Sequence, residues 1–257
     1  MQQVKRIVTI LEVLADKGNG ITLSDISERV ELAKSTTHRI LQALKKLNMV
    51  VQNPETKKYS IGPGILSLSR KAYGSMEIIE MARPFLRKLR DETGETAYLS
   101  VLKNDKVVCV DKIETESNLR YYVEMGSSMP LHCTAAGKAI IAYQDEELIK
   151  HIISIQKMSK FTNFTITDPN ELFIEYKRVR IRGYAICNNE MEDMITAIAV
   201  PLFTSDGKVS SSITVIGLTS NLTDKGFDNI VKKLKEASIS ISSSYVEGIT
   251  FDINRMS

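Results

Sequence analysis

The chain has 257 residues, 43% hydrophobic and 25% charged, which suits a globular protein of two domains or one large one. No apolar run approaches the roughly 18 residues of a membrane span. The start, "MQQVKRIVTI", lacks the apolar core and cleavage site of a signal peptide, so a cytoplasmic location is expected. The net charge of +3 is unevenly spread: residues 1–62 hold ten Lys/Arg against six Asp/Glu, which leaves −1 for residues 63–257. No acidic residue occurs from Leu32 to Pro54, while Lys34, Arg39, Lys45 and Lys46 do. Charge localised in this way is the footprint of a nucleic-acid-binding module.

In chain order, Val4, Ile7, Val8, Leu11 and Leu14 recur at helical spacing until Gly18-Asn19-Gly20 ends the pattern. A short second helix starts at Thr22 as N-cap, with Asp25 three residues on and Leu23, Ile26 and Val30 as its core face. "ELAK" makes a turn. A third helix is expected from about Ser35 to Leu47, with Ile40, Leu41, Leu44 and Leu47 inward. "MVVQNPETKKYSIG" reads as two short strands around Asn53-Pro54-Glu55-Thr56.

Helix, helix, turn, helix, hairpin is the order of a winged helix-turn-helix over residues 1–62. A recognition helix inserts its first turn into the major groove, so that turn must be slender and polar while the later turns pack. Lys34, Ser35, Thr36, Thr37, His38 and Arg39 meet this need and are candidates for base edges or phosphates. Lys57 and Lys58 on the wing are placed for phosphates beside the groove.

The stretch "VKRIVTILEVLADKGNGITLSDISERVELAKSTTHRILQALKKLNMVVQNPETKKYSIGPGILSLS" resembles the IclR family of bacterial transcription regulators. The likeness continues through "GSSMPLHCTAAGKAIIA" and "AIAVPLFTSDGKVSSSITVIG", over essentially the whole chain. It implies a sequence-specific DNA-binding regulator, with a repressor the expected sign. It also implies a GAF-like α+β domain that senses a small effector, typically an organic or sugar acid.

A linker helix is expected within residues 63–75, in "IGPGILSLSRKAYGSM", and the second domain over 76–257. There a long amphipathic helix runs from about Met76 to Thr93 and stops at Gly94. "TAYLSVLKNDKVVCVDKIE" reads as a hairpin around Asn104-Asp105. A helix from about Ala135 to Tyr143 follows Thr134, and another starts at Asp168-Pro169-Asn170-Glu171. "ITAIAVPLF" and "KVSSSITVIG" form a second hairpin across Thr204-Ser205-Asp206-Gly207, and a last helix runs from about Asp224 to Val246. Helices grouped with antiparallel hairpins indicate α+β, not a doubly wound sheet. No nucleotide, calcium or zinc-protease motif is present, so no cofactor is expected.

Cys109, Cys133 and Cys187 are odd in number and far apart, which points to reduced thiols. His132-Cys133 invites a catalytic reading, but neighbours on an extended segment point to opposite faces, and no enzymatic role is expected. A metal site from Cys109, His132, Cys133 and Cys187 fails on spacing unless the fold brings them together. "LHCTAAGKA" has a better account: Thr134 caps a helix whose small Ala136-Gly137 would let a carboxylate approach its first turn. Lys138 adds charge there. A tight helix–sheet packing site would use the same small residues.

By matching segments, the resemblance places effector contacts at Met129, Ala135, Ala136, Cys187, Ala197, Thr214 and Ile216, with Tyr121 on the pocket wall. The chain departs from the family pattern in two places. Cys187 stands where members often carry an acid, and Thr214-Val215-Ile216-Gly217-Leu218 stands for S-x-S-G-P. The resemblance also implies a dimer or tetramer on a pseudo-palindromic operator, two-fold protein symmetry matching two half-sites. Two other readings stay open: a small-molecule enzyme with a basic accessory domain, and an architectural DNA-binding protein that senses nothing.

Overall fold

The computed structural model describes residues 2–16, 20–73, 77–103, 105–116 and 123–253, with backbone alone at 69–73, 77 and 244–253. The chain divides into two compact units, Met1–Ser75 and Met76–Ser257.

The first unit is α1 (Gln2–Ala15), α2 (Leu23–Arg29), α3 (Lys34–Lys46), β1 (Val50–Gln52), β2 (Tyr59–Ile61) and α4 (Pro63–Tyr73). Its core gathers Ile10, Leu14, Ile26, Leu41, Val50 and Tyr59. Thr22 caps α2 reciprocally: its oxygen accepts from the Asp25 amide and its hydroxyl donates to the Asp25 carboxylate at 2.8 Å. The face expected of α1 is rotated. Ile10 is fully buried, whereas Val4 and Val8 stand 66% and 47% exposed. Ile7, Ile10, Leu11 and Leu14 fit helical spacing as well as the set read from the sequence, and packing in the core shared with α2, α3 and the two strands selects them.

Leu47 is corrected too, being 63% exposed. α3 ends just before it in a two-bond cap, with Met49 N–H donating to Leu44 C=O and Asn48 N–H to Lys45 C=O. Asn48 takes the left-handed conformation that closes such a cap, at φ 56°. Gly62 and Gly64 lie against it: a Cβ at Gly62 would meet the Asn48 carbonyl oxygen, and one at Gly64 would lie 2.8 Å from it. The start of α4 is therefore held to the end of α3 by the absence of side chains.

The second unit holds α5 (Glu77–Thr93), β3 (Thr96–Lys103), β4 (Lys106–Ile113), β5 (Ser128–Met129), α6 (Ala135–Ile141), α7 (Glu146–Ile155) and α8 (Pro169–Arg182). It continues with β6 (Ala185–Asn188), β7 (Ile195–Phe203), β8 (Val209–Leu218), α9 (Thr219–Lys225) and α10 (Phe227–Ile253). The six strands pair antiparallel in the order β5-β4-β3-β8-β7-β6. One sheet face packs on α5 and α10 through Leu86, Leu99, Ile198, Ile213, Val215 and Leu234. The other packs under α6, with α7 and α8 behind it, through Tyr98, Ala139, Ile152, Tyr176, Ala197 and Ala199. This is an α+β domain in which helices cover both faces of one antiparallel sheet.

Several local signals operate as chemistry requires. Gly94, at φ 68°, closes α5 by donating to Arg90 C=O at 2.7 Å. Asp168 accepts from the amides of Asn170 and Glu171 at 2.9 and 2.8 Å, with Pro169 opening α8. The last helix, α10, begins at Phe227, three residues later than expected, because Gly226 at φ 79° ends a separate short helix, α9, before it. α7, α9, β5 and β6 had no counterpart in the sequence reading. β5 and β6 are two and four residues long, too short for a periodic pattern to register.

Candidate nucleic-acid interface and ligand cavity

α3 starts after Ala33, whose carbonyl receives the amides of Thr36 and Thr37 at 2.9 and 3.0 Å. Its first turn holds no acidic residue. Lys34, Ser35, His38 and Arg39 are exposed and Thr36 is half-buried, so these five stand on the open side of the helix. Thr37 does not. It is fully buried and its hydroxyl donates back to Ala33 C=O at 3.3 Å, so its candidacy for base contact is withdrawn. The reason is phase: Thr37 precedes Leu41 and Leu44 on the face that packs on the core.

Gln42, passed over in the sequence because it lies in the packed turns, sits one turn beyond His38, their Nε2 atoms 3.2 Å apart. That pair extends the polar face. On the wing, Asn53 Oδ1 accepts from the amides of Glu55 and Thr56, both at 2.9 Å. Lys57 takes φ 58°, and both Lys57 and Lys58 are exposed at the tip.

In the second unit a cavity of about 230 Å³ lies between the sheet and the start of α6. Five of the matched positions line it: Met129, Ala135, Cys187, Ala197 and Ile216. Three of them form one cross-strand row, since Cys187 pairs with Ala197 and Ala197 with Ile216. Side chains in such a row share a face.

Two matched positions are not walls. Ala136 is fully buried, about a 100° turn around the helix from Ala135, and packs in the core. Thr214 is one row deeper, paired with Tyr98, and is fully buried; its hydroxyl has no hydrogen-bond partner among the described residues. Tyr121 lies outside the described residues. The sequence reading missed Tyr98, Met191, Glu192 and Ile195, which are among the other walls, as is Glu124. Burial pushes the Tyr98 phenol well above its ordinary value. The tyrosine therefore stays a neutral donor.

Thr134 caps α6 by accepting from the Gly137 amide at 3.2 Å, and a Cβ on Gly137 would lie 2.7 Å from Leu131 Cα. Lys138 turns away from the cavity and is 1% exposed. Its ammonium donates to Glu190 Oε1 at 2.5 Å. The Glu190 segment is also strapped from outside, with Thr162 donating to Asn189 C=O and Thr165 to Glu190 C=O, each at 2.6 Å. Met191 and Glu192, next in the chain, reach the cavity.

His132 and Cys133 have separate partners: His132 Nε2 lies 3.0 Å from Ser159 O, and Cys133 Sγ 3.6 Å from Met191 Sδ. Burial pushes the Cys133 thiol up to about 12 and Cys187 up to about 11. Both are thiols at neutral pH, which is the wrong form for a nucleophile. Cys187 donates to Cys133 C=O at 2.9 Å. Among the described residues no three His, Cys, Asp or Glu side chains gather as a metal site, and no helix is long and apolar enough to cross a membrane.

Residues 3–54 match the model of the IclR helix-turn-helix domain and residues 70–243 that of the bacterial transcriptional regulator IclR C-terminal domain. The chain is 30% identical to the HTH-type transcriptional regulator BhcR of Paracoccus denitrificans over 242 residues, 94% of this chain and 86% of that protein. It is 34% identical to the HTH-type transcriptional regulator KdgR of Dickeya chrysanthemi, over 94% of this chain and 79% of that one. The crystal structure of the Thermotoga maritima IclR superposes with a TM-score of 0.77 at 26% identity, over 95% of this chain and 99% of the other.

Proposed function

This chain belongs to the IclR family of bacterial transcriptional regulators, which bind DNA and carry a C-terminal ligand-binding domain, and we propose how its own residues divide that work. Residues 1–62 form the DNA-binding domain, 63–75 the connecting helix and 76–257 the sensor. The first turn of α3 reads bases with Ser35, Thr36, His38 and Arg39, while Lys34, Lys57 and Lys58 hold phosphates. Two copies, or two pairs, sit on a pseudo-palindromic operator. The relatives are named as transcriptional regulators, which favours a binding protein over an enzyme.

The sensor cavity takes a small organic acid, with its apolar part against Met129 and Ile216 and its polar end toward Thr134, Ala135 and Tyr98. The observation that carries this reading is the convergence of Cys187, Ala197 and Ile216 in one row opposite Ala135, around a space of about 230 Å³. A concave, mostly apolar space with a few convergent polar groups is what a small-molecule site needs. Thermal shift against a panel of small organic acids tests it, since a ligand that binds only the folded chain raises the melting temperature. A mobility shift on DNA selected from a random pool tests the first unit. No shift with any acid would remove the effector class; no selected sequence would remove base reading.

A further inference from the structure

The mouth of the cavity under α6 is acidic. Glu124 and Glu192 both line the space and both are exposed, so an entering ligand meets them first. No lysine, arginine or histidine lines it among the described residues. Lys138, the base carried by α6, is buried and bonded to Glu190, so it does not offset the two carboxylates.

The inner wall has the opposite character. Tyr98 is 2% exposed yet borders the space, and burial keeps its phenol protonated, so it offers an O–H donor at depth. The other deep polar groups are committed. The Thr134 hydroxyl donates to Pro130 C=O and accepts from the Gly137 amide, and the Cys187 thiol donates to Cys133 C=O. Met129, Ile195 and Ile216 supply apolar wall.

Both glutamates sit on loops that are tied down. Ser127 bonds the Glu124 carbonyl with its amide at 3.3 Å and its hydroxyl at 2.7 Å. Gly126, at φ 81°, fixes that turn to β4 by donating to Cys109 C=O at 2.8 Å. The Glu192 carbonyl accepts from the Ile195 amide at 3.3 Å, two residues beyond the strapped Glu190. Carboxylates held in this way lose little freedom when a ligand binds.

We propose that the ligand of this cavity is a zwitterion, its carboxylate bonded to Tyr98 and a primary ammonium at its other end met by Glu124 and Glu192. The inference rests on the cavity being the effector site and specifies the charge that the effector carries. A second negative charge at the mouth would face two carboxylates, whereas an ammonium is attracted by both.

The probes are 5-aminopentanoate, hexanoate and adipate, which share one methylene chain and end in an ammonium, a methyl and a second carboxylate. Methyl NMR of the full chain labelled at isoleucine reads Ile195 and Ile216, two walls of the cavity. The amino compound should shift both saturably and bind at least about fivefold tighter than hexanoate, with adipate weakest. Glu124→Gln with Glu192→Gln, both at exposed positions, should erase that preference, and Glu192→Lys should favour adipate. Asp193→Asn, an exposed neighbour that does not line the cavity, should leave the preference in place. Tyr98→Phe should weaken all three compounds about alike. If none of the three shifts Ile195 and Ile216, the cavity reading falls and the proposal with it. If hexanoate or adipate shifts them and 5-aminopentanoate binds no tighter, the zwitterion alone is refuted. A preference that survives the double glutamine change, or one that Asp193→Asn removes as well, would also overturn it.

Discussion

The Lys138 ammonium and the Glu190 carboxylate meet at 2.5 Å with 1% and 9% of their side chains exposed, joining α6 to the segment that carries Met191 and Glu192. Burial holds the Glu190 carboxyl above its ordinary value, and Lys138 pulls it back down. An acid whose folded pKa is raised stabilises fully below its unfolded value, near 4.5, and loses that contribution as pH rises through the folded value. Lys138→Met removes the opposing charge and raises Glu190 further. Its cost, about 3–5 kcal/mol at neutral pH for a broken buried pair, should shrink as pH falls toward 4.5. Urea unfolding of both proteins across that interval measures it; a deficit that does not change with pH would refute the pairing.

Thr36 and Thr37 are neighbours with opposite expected behaviour. Thr36→Ala should weaken binding to a selected operator by about 1–3 kcal/mol and leave random DNA almost unaffected. Thr37→Ala should lower the melting temperature and change affinity for both DNAs alike, because its hydroxyl bonds Ala33 and not DNA. Fluorescence anisotropy on the two DNAs, alongside melting, separates them. Base-selective loss in the Thr37 variant would reverse the assignment.

Lys57 and Lys58 should contribute without regard to sequence. Replacing either with Ala should lower affinity for all DNA and reduce the slope of log K against log salt by about one. Salt titrations of wild type and variants read this directly. A slope that does not move would take the wing off the phosphates.

Thr214 and the two alanines of α6 distinguish the cavity from its surroundings. Ala135→Leu should fill the cavity and abolish the response to any acid that shifts the wild type. Ala136→Leu should instead overpack the core, at a cost of about 1–3 kcal/mol with or without ligand. Thr214→Val removes a buried hydroxyl that has no partner among the described residues, so the unliganded protein should melt no lower than wild type. Melting the three variants with and without the acid panel decides. A clear loss of stability in Thr214→Val would mean its hydroxyl is satisfied in solution.

The sequence alone determined the features whose partners lie within a few residues. Thr22 with Asp25, Thr134 with Gly137, Asp168 with Glu171 and the Gly94 stop each satisfy helix ends locally, so spacing was enough to read them. The charge gap from Leu32 to Pro54 and the slender start of α3 were equally legible, since exposed chemistry needs no partner. Tertiary structure decided which side of a helix turns inward: it buried Ile10 over Val8 and Thr37 over Thr36, choices that helical spacing leaves nearly degenerate. It also decided the cavity. Cys187, Ala197 and Ile216 align only through the register of β6, β7 and β8, and Tyr98 joins them from β3, across the β8 ladder. Lys138 finds Glu190 across 52 residues of sequence, and Gln156 finds His132 across 24, because sheet order and helix packing set those distances and no local pattern encodes them.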